Sequence, residues 1–317
     1  MKIVLLDAKT MGEDIDFSPI LNIGETVIYD GTSPQEVADR IKDADVVCIN
    51  KVVLNEEVLK KANNLKLICL FAIGFNNVDT AFCKTHGIKV RNVPGYCVES
   101  VCQHAFALLF SLTENIRYYD DFVRSGKYEE SGTANHLGKP FDELCGKRFG
   151  ILGMGAIGRR IASVASAFGA KVNYASLSGV KREEEFEEIS FDALMAESDI
   201  ICLCAPLNEK TYKIIGENEL KKMKDTAFII NVGRGALTDE EALARAIDNG
   251  DIGGAAIDVY ENEPPIGSPL MNVKNNEKIL YTPHIAWSSV QARRRCVEMV
   301  ADNIKAFIRG ESTNDVI

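Results

Sequence analysis

The sequence predicts an α/β fold of two doubly wound parallel-sheet domains, and three observations predict it. Short apolar runs alternate with longer amphipathic stretches, the alternation occurs in two successive series, and the second series opens on a glycine-rich turn. The 317 residues suffice for two ordinary domains, and 46 % apolar residues can fill a sizeable core in each.

In chain order, KIVLLDA, ETVIYD, DVVCIN, LKLICLF and IKVRNV read as strands. SPQEVADRIKDA and NEEVLKKANN between them read as helices, the first started by Ser33 and Pro34. Strands joined through helices run parallel, with helices on both faces of the sheet. CVESVCQHAFALLFSLTENIRYYDDFVRSG reads as one long helix, apolar in its first half, that could link the domains. After a polar stretch around 127–147 the second series follows: RFGILGMG, AKVNYAS, DIICLCAP, TAFIINV, GGAAIDV and KILYTPH. SSVQARRRCVEMVADNIKAFIRG closes the chain as a helix ending at Gly310 with a basic last turn, which suits the negative end of a helix dipole.

The formal net charge of −10 argues against nucleic acid as a partner. Arg293, Arg294 and Arg295 form the densest basic run and read as a solvated helix face. The nine cysteines are odd in number and form no CxxC pair, so they read as free thiols in a reducing compartment. His86, His104, His136 and His284 show no paired ligand spacing, and no metal site is expected. The opening MKIVLLDA is too short for a signal peptide, and no apolar run reaches membrane-spanning length. A cytoplasmic protein without membrane contact is expected.

Gly153, Gly155 and Gly158 form GxGxxG between the strand FGIL and the helix AIGRRIASVASAFG. Gly153 suits a tight turn, Gly155 the approach of a pyrophosphate, and Gly158 close packing of helix on strand. The amides of Ala156 and Ile157, at the helix N-terminus, would meet the phosphate charge. A tight turn without ligand and a nucleoside cofactor such as S-adenosylmethionine remain alternatives. The next strand should end in an acid for the ribose 2′-hydroxyl, but it ends at Ser176, followed by Ser178, Lys181 and Arg182. Hydroxyls and cations would accept a 2′-phosphate that a carboxylate would repel, so NADP is slightly favoured over NAD.

Three further residues stand just after strands of the second series: Arg234 in NVGRGALTDEEAL, Glu263 in AAIDVYENEPP and His284 in YTPHIAW. Hydride transfer to a ketone needs a proton for the carbonyl oxygen, which a histidine can donate near neutral pH. A paired glutamate would orient it, and an arginine can clamp a carboxylate and polarise the carbonyl beside it. Each has a plainer reading, as a capping arginine, a solvated loop acid or a structural histidine. Behind a dinucleotide loop the joint plain reading is the weaker one.

With these pieces, and with GMGAIGRRIA, PLNEKTYKIIGENELKKMK, FAIGFNNVD and VPGYCVESV, the chain resembles the D-isomer-specific 2-hydroxyacid dehydrogenase family over essentially its whole length. The resemblance implies a Rossmann-type cofactor domain at 101–287, inserted into a flavodoxin-like substrate domain formed by 1–100 and 288–317. The active site would lie in the cleft between them. It also implies Arg234 as the substrate clamp, His284 as acid/base, Glu263 as its partner, and Asp258 and Pro206 at the cofactor. The backbone amides of Ile73 and Gly74 would hold the substrate carboxylate, and a homodimer through the cofactor domain is implied. Cys204 stands where many relatives carry histidine, and no extra regulatory domain of the kind found in many phosphoglycerate dehydrogenases is expected.

HIAW, with the single tryptophan Trp287, resembles the glycerate dehydrogenase (hydroxypyruvate reductase) branch and points Trp287 toward substrate; a core tryptophan is the alternative. Lys51 could greet an anionic substrate or lie on the surface. A small 2-keto acid such as hydroxypyruvate or glyoxylate is favoured, reduced to the D-2-hydroxy acid. Phosphoglycerate oxidation, formate oxidation and a dinucleotide-sensing binding protein on the same fold are the rivals. The Glu263–His284 pair disfavours formate, whose oxidation places no proton on oxygen.

Overall fold

The apolar runs become strands in both series, and the chain divides into two units. The computed structural model describes residues 1–180 and 183–317. One unit comprises Met1–Cys97 and Trp287–Ile317, the other Val98–Ala286.

The first unit holds β1 (Lys2–Leu5), β2 (Glu25–Ile28), β3 (Val46–Ile49), β4 (Leu67–Leu70) and β5 (Lys89–Arg91), all parallel, in the order β2-β1-β3-β4-β5. This is the flavodoxin-like order, with its switch point between β1 and β3. Helices α1 (Ser18–Leu21), α2 (Val37–Ile41), α3 (Glu56–Leu59) and α4 (Thr80–Thr85) connect the strands. Every residue of β3 and β4 is buried, as continuous apolar runs covered on both faces require. The Asp7 carboxylate, just past β1, accepts the amides of Asn50 (2.9 Å), Lys51 (2.6 Å) and Val52 (3.0 Å). Asp7 thus ties the loop after β3 to the carboxyl end of β1.

Helix α2 starts later than the Ser33–Pro34 signal suggests. Both the amide and the hydroxyl of Ser33 donate to Glu36 Oε2, at 3.0 and 2.6 Å, and this closed turn delays the helix until Val37.

The second unit begins with α5 (Val98–Thr113), α6 (Ile116–Arg124) and α7 (Lys127–Ser131). The single long helix expected here is broken at Asn115, which adopts the left-handed region at φ 54. Asparagine is among the few side chains that tolerate it. Then come β6 (Arg148–Leu152), α8 (Ala156–Ala167), β7 (Lys171–Ala175), β8 (Glu187–Glu188), α9 (Phe191–Glu197) and β9 (Ile200–Leu203). The unit closes with α10 (Glu217–Leu220), β10 (Phe228–Asn231), α11 (Glu240–Asn249), β11 (Gly254–Ile257) and β12 (Ile279–Tyr281). Its seven parallel strands run β12-β11-β10-β9-β6-β7-β8, the Rossmann order with the switch between β6 and β9. Helix α12 (Val290–Ile308) returns to the first unit. Each unit has its own core, Leu152, Ile201, Leu203 and Ile229 in the second and Val4, Val47, Ile68 and Leu70 in the first.

All nine cysteines are free thiols, and only Cys145 is fully exposed. Burial pushes the Cys83 and Cys102 thiols up to about 11, so they are inert packing groups. Among the described residues no helix is long and apolar enough to cross a membrane.

Candidate active site

Gly153 leaves β6 at φ +100, a turn closed to ordinary side chains. A methyl group there would lie 2.6 Å from the Ala205 amide nitrogen, because the loop after β9 runs directly against it. At Gly158 a methyl group would lie 2.3 Å from the Gly153 carbonyl oxygen, so α8 can pack here only without a side chain. Gly155 differs: it is exposed, and a methyl group there would meet nothing within 4 Å. No side chain caps α8, which leaves its first amides, at Ala156 and Ile157, facing this open space at the positive end of the helix. Pro206, after β9, is exposed beside the same turn; its carbonyl accepts the Thr211 hydroxyl at 2.8 Å.

Past β7, the hydroxyls of Ser176 and Ser178 lie 2.9 Å apart. Lys181 and Arg182 lie outside the described residues. The neighbouring segment carries a contact the sequence did not suggest. Arg159 of α8 forms a two-pronged pair with Glu184, Nη2 to Oε1 at 2.6 Å and Nε to Oε2 at 2.9 Å. Glu184 holds the Arg159 guanidinium above its usual range.

Arg234, Asp258 and His284 follow β10, β11 and β12, three neighbours in the sheet, so they share its carboxyl edge. The glycines around Arg234 are set by packing: a methyl group at Gly235 would fall 1.9 Å from the Tyr260 carbonyl carbon. Arg234 is half-buried and its Nη1 donates to the Gly233 carbonyl at 2.8 Å. Among the described residues it makes no ion pair, so its charge is available to an anion.

The structure brings Glu263 and His284 together, Oε2 to Nδ1 at 2.6 Å, with the two side chains 32 % and 27 % exposed. The loop carrying Glu263 is braced from below. Glu240, buried at the start of α11, accepts the Glu261 amide (2.8 Å) and the Ser268 hydroxyl (2.5 Å). Glu263 Oε1 also accepts the Tyr260 amide at 3.2 Å.

Asp258 is fully buried. Its Oδ1 accepts the Thr282 hydroxyl (2.6 Å) and the Ile285 amide (2.8 Å), and its Oδ2 accepts the Ala286 amide (2.9 Å). Its backbone carbonyl accepts the His284 amide at 2.7 Å. Burial alone would raise the Asp258 pKa, but the His104 imidazole 3.6 Å away and hydrogen bonds from Thr282, Ala286 and Ile285 outweigh it and hold the carboxyl below its usual range. The Asp258 carboxylate thus shapes the 282–286 loop, in which His284 takes the left-handed region at φ 55.

In the first unit, Ile73 and Gly74 follow β4. Asn92 Nδ2 donates to the Ile73 carbonyl at 2.7 Å, and Asn77 Nδ2 ties the same loop to the Val52 carbonyl at 2.8 Å. Among the described residues the amides of Ile73 and Gly74 donate no hydrogen bond. Trp287, expected on the cofactor domain, belongs to the first unit, where its ring meets Tyr96 edge-on at 6.3 Å.

The family model "D-isomer specific 2-hydroxyacid dehydrogenase, NAD binding domain" matches residues 106–286. The chain is 36 % identical over 323 residues to a hydroxypyruvate reductase of Blautia hydrogenotrophica, covering 100 % of this chain and 99 % of that relative. It belongs to the D-isomer specific 2-hydroxyacid dehydrogenase family. A glycerate dehydrogenase of Methylorubrum extorquens is 36 % identical over 91 % of this chain and 90 % of its own. The solved D-lactate dehydrogenase of Aquifex aeolicus, complexed with NAD and lactic acid, superposes with a TM-score of 0.87 at 29 % identity, covering 100 % of this chain and 99 % of that one.

For a D-2-hydroxyacid dehydrogenase the coenzyme is a nicotinamide dinucleotide, and the residues at the β6 turn fit one. Gly155 opens onto free space, uncapped amides face it, and the turn stands at the switch point of the sheet. The sequence reading of this dehydrogenase missed His104 and Ser100. They project from α5 one turn apart and bond Thr282 Oγ1 (3.0 Å) and the Ala286 carbonyl (2.7 Å). Their i,i+4 spacing was the available signal, but it sat in an apolar helix with no visible partner.

Proposed function

We propose that this dehydrogenase reduces a small 2-keto acid, hydroxypyruvate or glyoxylate, to the D-2-hydroxy acid, with His284 as the acid. The observation that carries this is the 2.6 Å contact between His284 Nδ1 and Glu263 Oε2. A carboxylate can only accept, so Nδ1 carries a hydrogen and Nε2 is left for substrate. In the reductive direction Nε2 gives its proton to the carbonyl oxygen, and in the oxidative direction it takes the hydroxyl proton back. The bound dinucleotide supplies or accepts the hydride. Arg234, half-buried and without an ion pair among the described residues, clamps the substrate carboxylate and draws charge from the adjacent carbonyl. The free amides of Ile73 and Gly74 and the ring of Trp287 are further substrate contacts in this reading. The names of the two curated relatives support the substrate class.

Gly153, Gly155, Ala156, Ile157, Gly158 and Pro206 hold the dinucleotide, with Asp258 behind the nicotinamide end. NADP is slightly favoured over NAD because the adjoining hydroxyls of Ser176 and Ser178 stand where a carboxylate would repel a 2′-phosphate. Lys181 and Arg182 supply the cations in this reading, since Arg159 is already held by Glu184. The free thiols favour a reducing, cytoplasmic setting in this reading. A second copy of the chain covers the apolar surface of the second unit, where Leu137 (85 %) and Phe141 (55 %) are exposed and Phe141 lines a groove of about 980 Å³.

The test is turnover. Purified protein with hydroxypyruvate should consume NADPH or NADH and yield the D-hydroxy acid on chiral analysis. Binding of dinucleotide without turnover of hydroxypyruvate, glyoxylate or pyruvate would favour the non-catalytic sensor.

A further inference from the structure

We propose that His104 is a positioning residue for the reduction, acting through Thr282 and Asp258 to set the loop that presents His284. The inference rests on reading His284 as the acid. Asp258 is buried and its carboxyl is held below the usual range, so it is ionised at neutral pH and can only accept hydrogen bonds. Thr282 has one hydroxyl hydrogen and directs it to Asp258 Oδ1 at 2.6 Å. The Thr282 oxygen must therefore accept from His104 Nε2, 3.0 Å away, and Nε2 must carry a hydrogen. The same Nε2 lies 3.6 Å from Asp258 Oδ1. With Asp258 ionised, donor and acceptor capacity give the order His104 to Thr282 to Asp258.

Ser100 completes the arrangement. One turn before His104 on α5, its hydroxyl donates to the Ala286 carbonyl at 2.7 Å. One face of α5 therefore grips both ends of the 282–286 loop. Between these anchors His284 sits at φ 55 and donates its amide to the Asp258 carbonyl at 2.7 Å. A non-glycine residue stays in that region only where its surroundings over-determine it. The α5 face supplies part of that determination. Without the His104 donor, the Thr282 hydroxyl can turn away from Asp258, the loop loosens, and the imidazole leaves the line to the carbonyl oxygen. Its effect falls on the chemical step, because His104 itself touches the loop and not the dinucleotide turn.

Four single variants and one double variant test this with the holoenzyme: His104→Leu, His104→Gln, Thr282→Val, Thr282→Ser, and His104→Leu combined with Thr282→Val. Leucine removes the donor, whereas glutamine can place an N–H in its position. His104→Leu should lower kcat about 10- to 100-fold while the coenzyme KM stays within about threefold, since a misplaced acid costs rate rather than binding. His104→Gln should recover kcat to within about threefold of wild type. Thr282→Val should be as slow as His104→Leu, Thr282→Ser should be spared, and the double Leu/Val variant should be no slower than the slower single. Wild-type kcat in His104→Leu, or a glutamine variant as slow as the leucine one, overturns the inference. Should His104→Leu fail to fold, the valine–serine contrast at 282 decides by the same criterion. His284→Ala in the same assay separates the two readings: if it keeps wild-type kcat, the acid assignment itself fails, whatever His104 does.

Discussion

His284 and Glu263, 21 residues apart in the chain, meet at 2.6 Å between Nδ1 and Oε2, each on a loop braced by a different buried carboxylate. Asp258 holds the histidine loop, and Glu240 holds the glutamate loop. Neither bracing carboxylate is exposed, so the pair stands on two polar networks inside the protein.

This geometry makes Glu263→Gln an informative change. Glutamine can still accept from Nδ1 through its amide oxygen but brings no charge to steady the imidazolium. We expect kcat to fall about 10- to 100-fold with the fold intact, and His284→Ala to fall further, by about 10²- to 10⁴-fold. Steady-state kinetics beside circular dichroism would check both.

Arg234→Lys should not be a conservative change. Lysine cannot present two parallel N–H groups to a carboxylate, so kcat/KM for the keto acid should drop by about 100-fold or more. The coenzyme dissociation constant, measured by fluorescence titration, should stay near wild type. Equal weakening of coenzyme and substrate would contradict the assignment.

The glycines of the β6 turn separate fold from binding. Gly158→Ala would press a methyl group to 2.3 Å from the Gly153 carbonyl oxygen and should destabilise by about 1–3 kcal/mol in urea unfolding. Gly155→Ala, at φ −89 with nothing within 4 Å, should leave stability unchanged yet weaken coenzyme binding, because its methyl group enters the space left for pyrophosphate. An unaffected coenzyme affinity in Gly155→Ala would place the dinucleotide elsewhere.

Stability should fall in acid for a definable reason. Against the cost of burial, the nearby His104 imidazole and the bonds from Thr282 and the loop amides leave Asp258 with a depressed folded pKa. The unfolded chain then binds this proton more tightly than the folded one. The stabilisation is full above the unfolded carboxyl pKa and is lost as pH falls through the folded value. Asp199 behaves alike: burial raises its pKa, and Lys224 and the Arg148 amide more than reverse it. Urea midpoints should therefore decline below about pH 4, and Asp258→Asn should start about 3 kcal/mol lower at neutral pH with a shallower acid slope.

How much of this was legible depended on whether a signal was local. The runs LICL and IICL announced buried strands, and GMGAIG with its flanking strand and helix announced the turn. Glu263 stood out as an acid on the loop that follows β11, and Arg234 and His284 because polar groups just after apolar strands have few structural reasons to be there. Asp258 stood out for the same reason, but its carboxylate turns inward, which only the path of the 282–286 loop determines. His104 and Ser100 were illegible because their partners lie 178 and 186 residues away. The break at Asn115 was missed because the residues on either side favour helix, and the Arg159–Glu184 pair because it crosses from helix to loop.

In the proposed reaction His284, held by Glu263, protonates a 2-keto acid while the coenzyme delivers hydride. This is tested most directly by following loss of NADPH and NADH absorbance with hydroxypyruvate, for wild type and His284→Ala side by side. Turnover is expected in the wild type, with a loss of at least about 100-fold in the variant and the same coenzyme affinity for the two proteins. No turnover of hydroxypyruvate, glyoxylate or pyruvate by the wild type, or full turnover by His284→Ala, would contradict it.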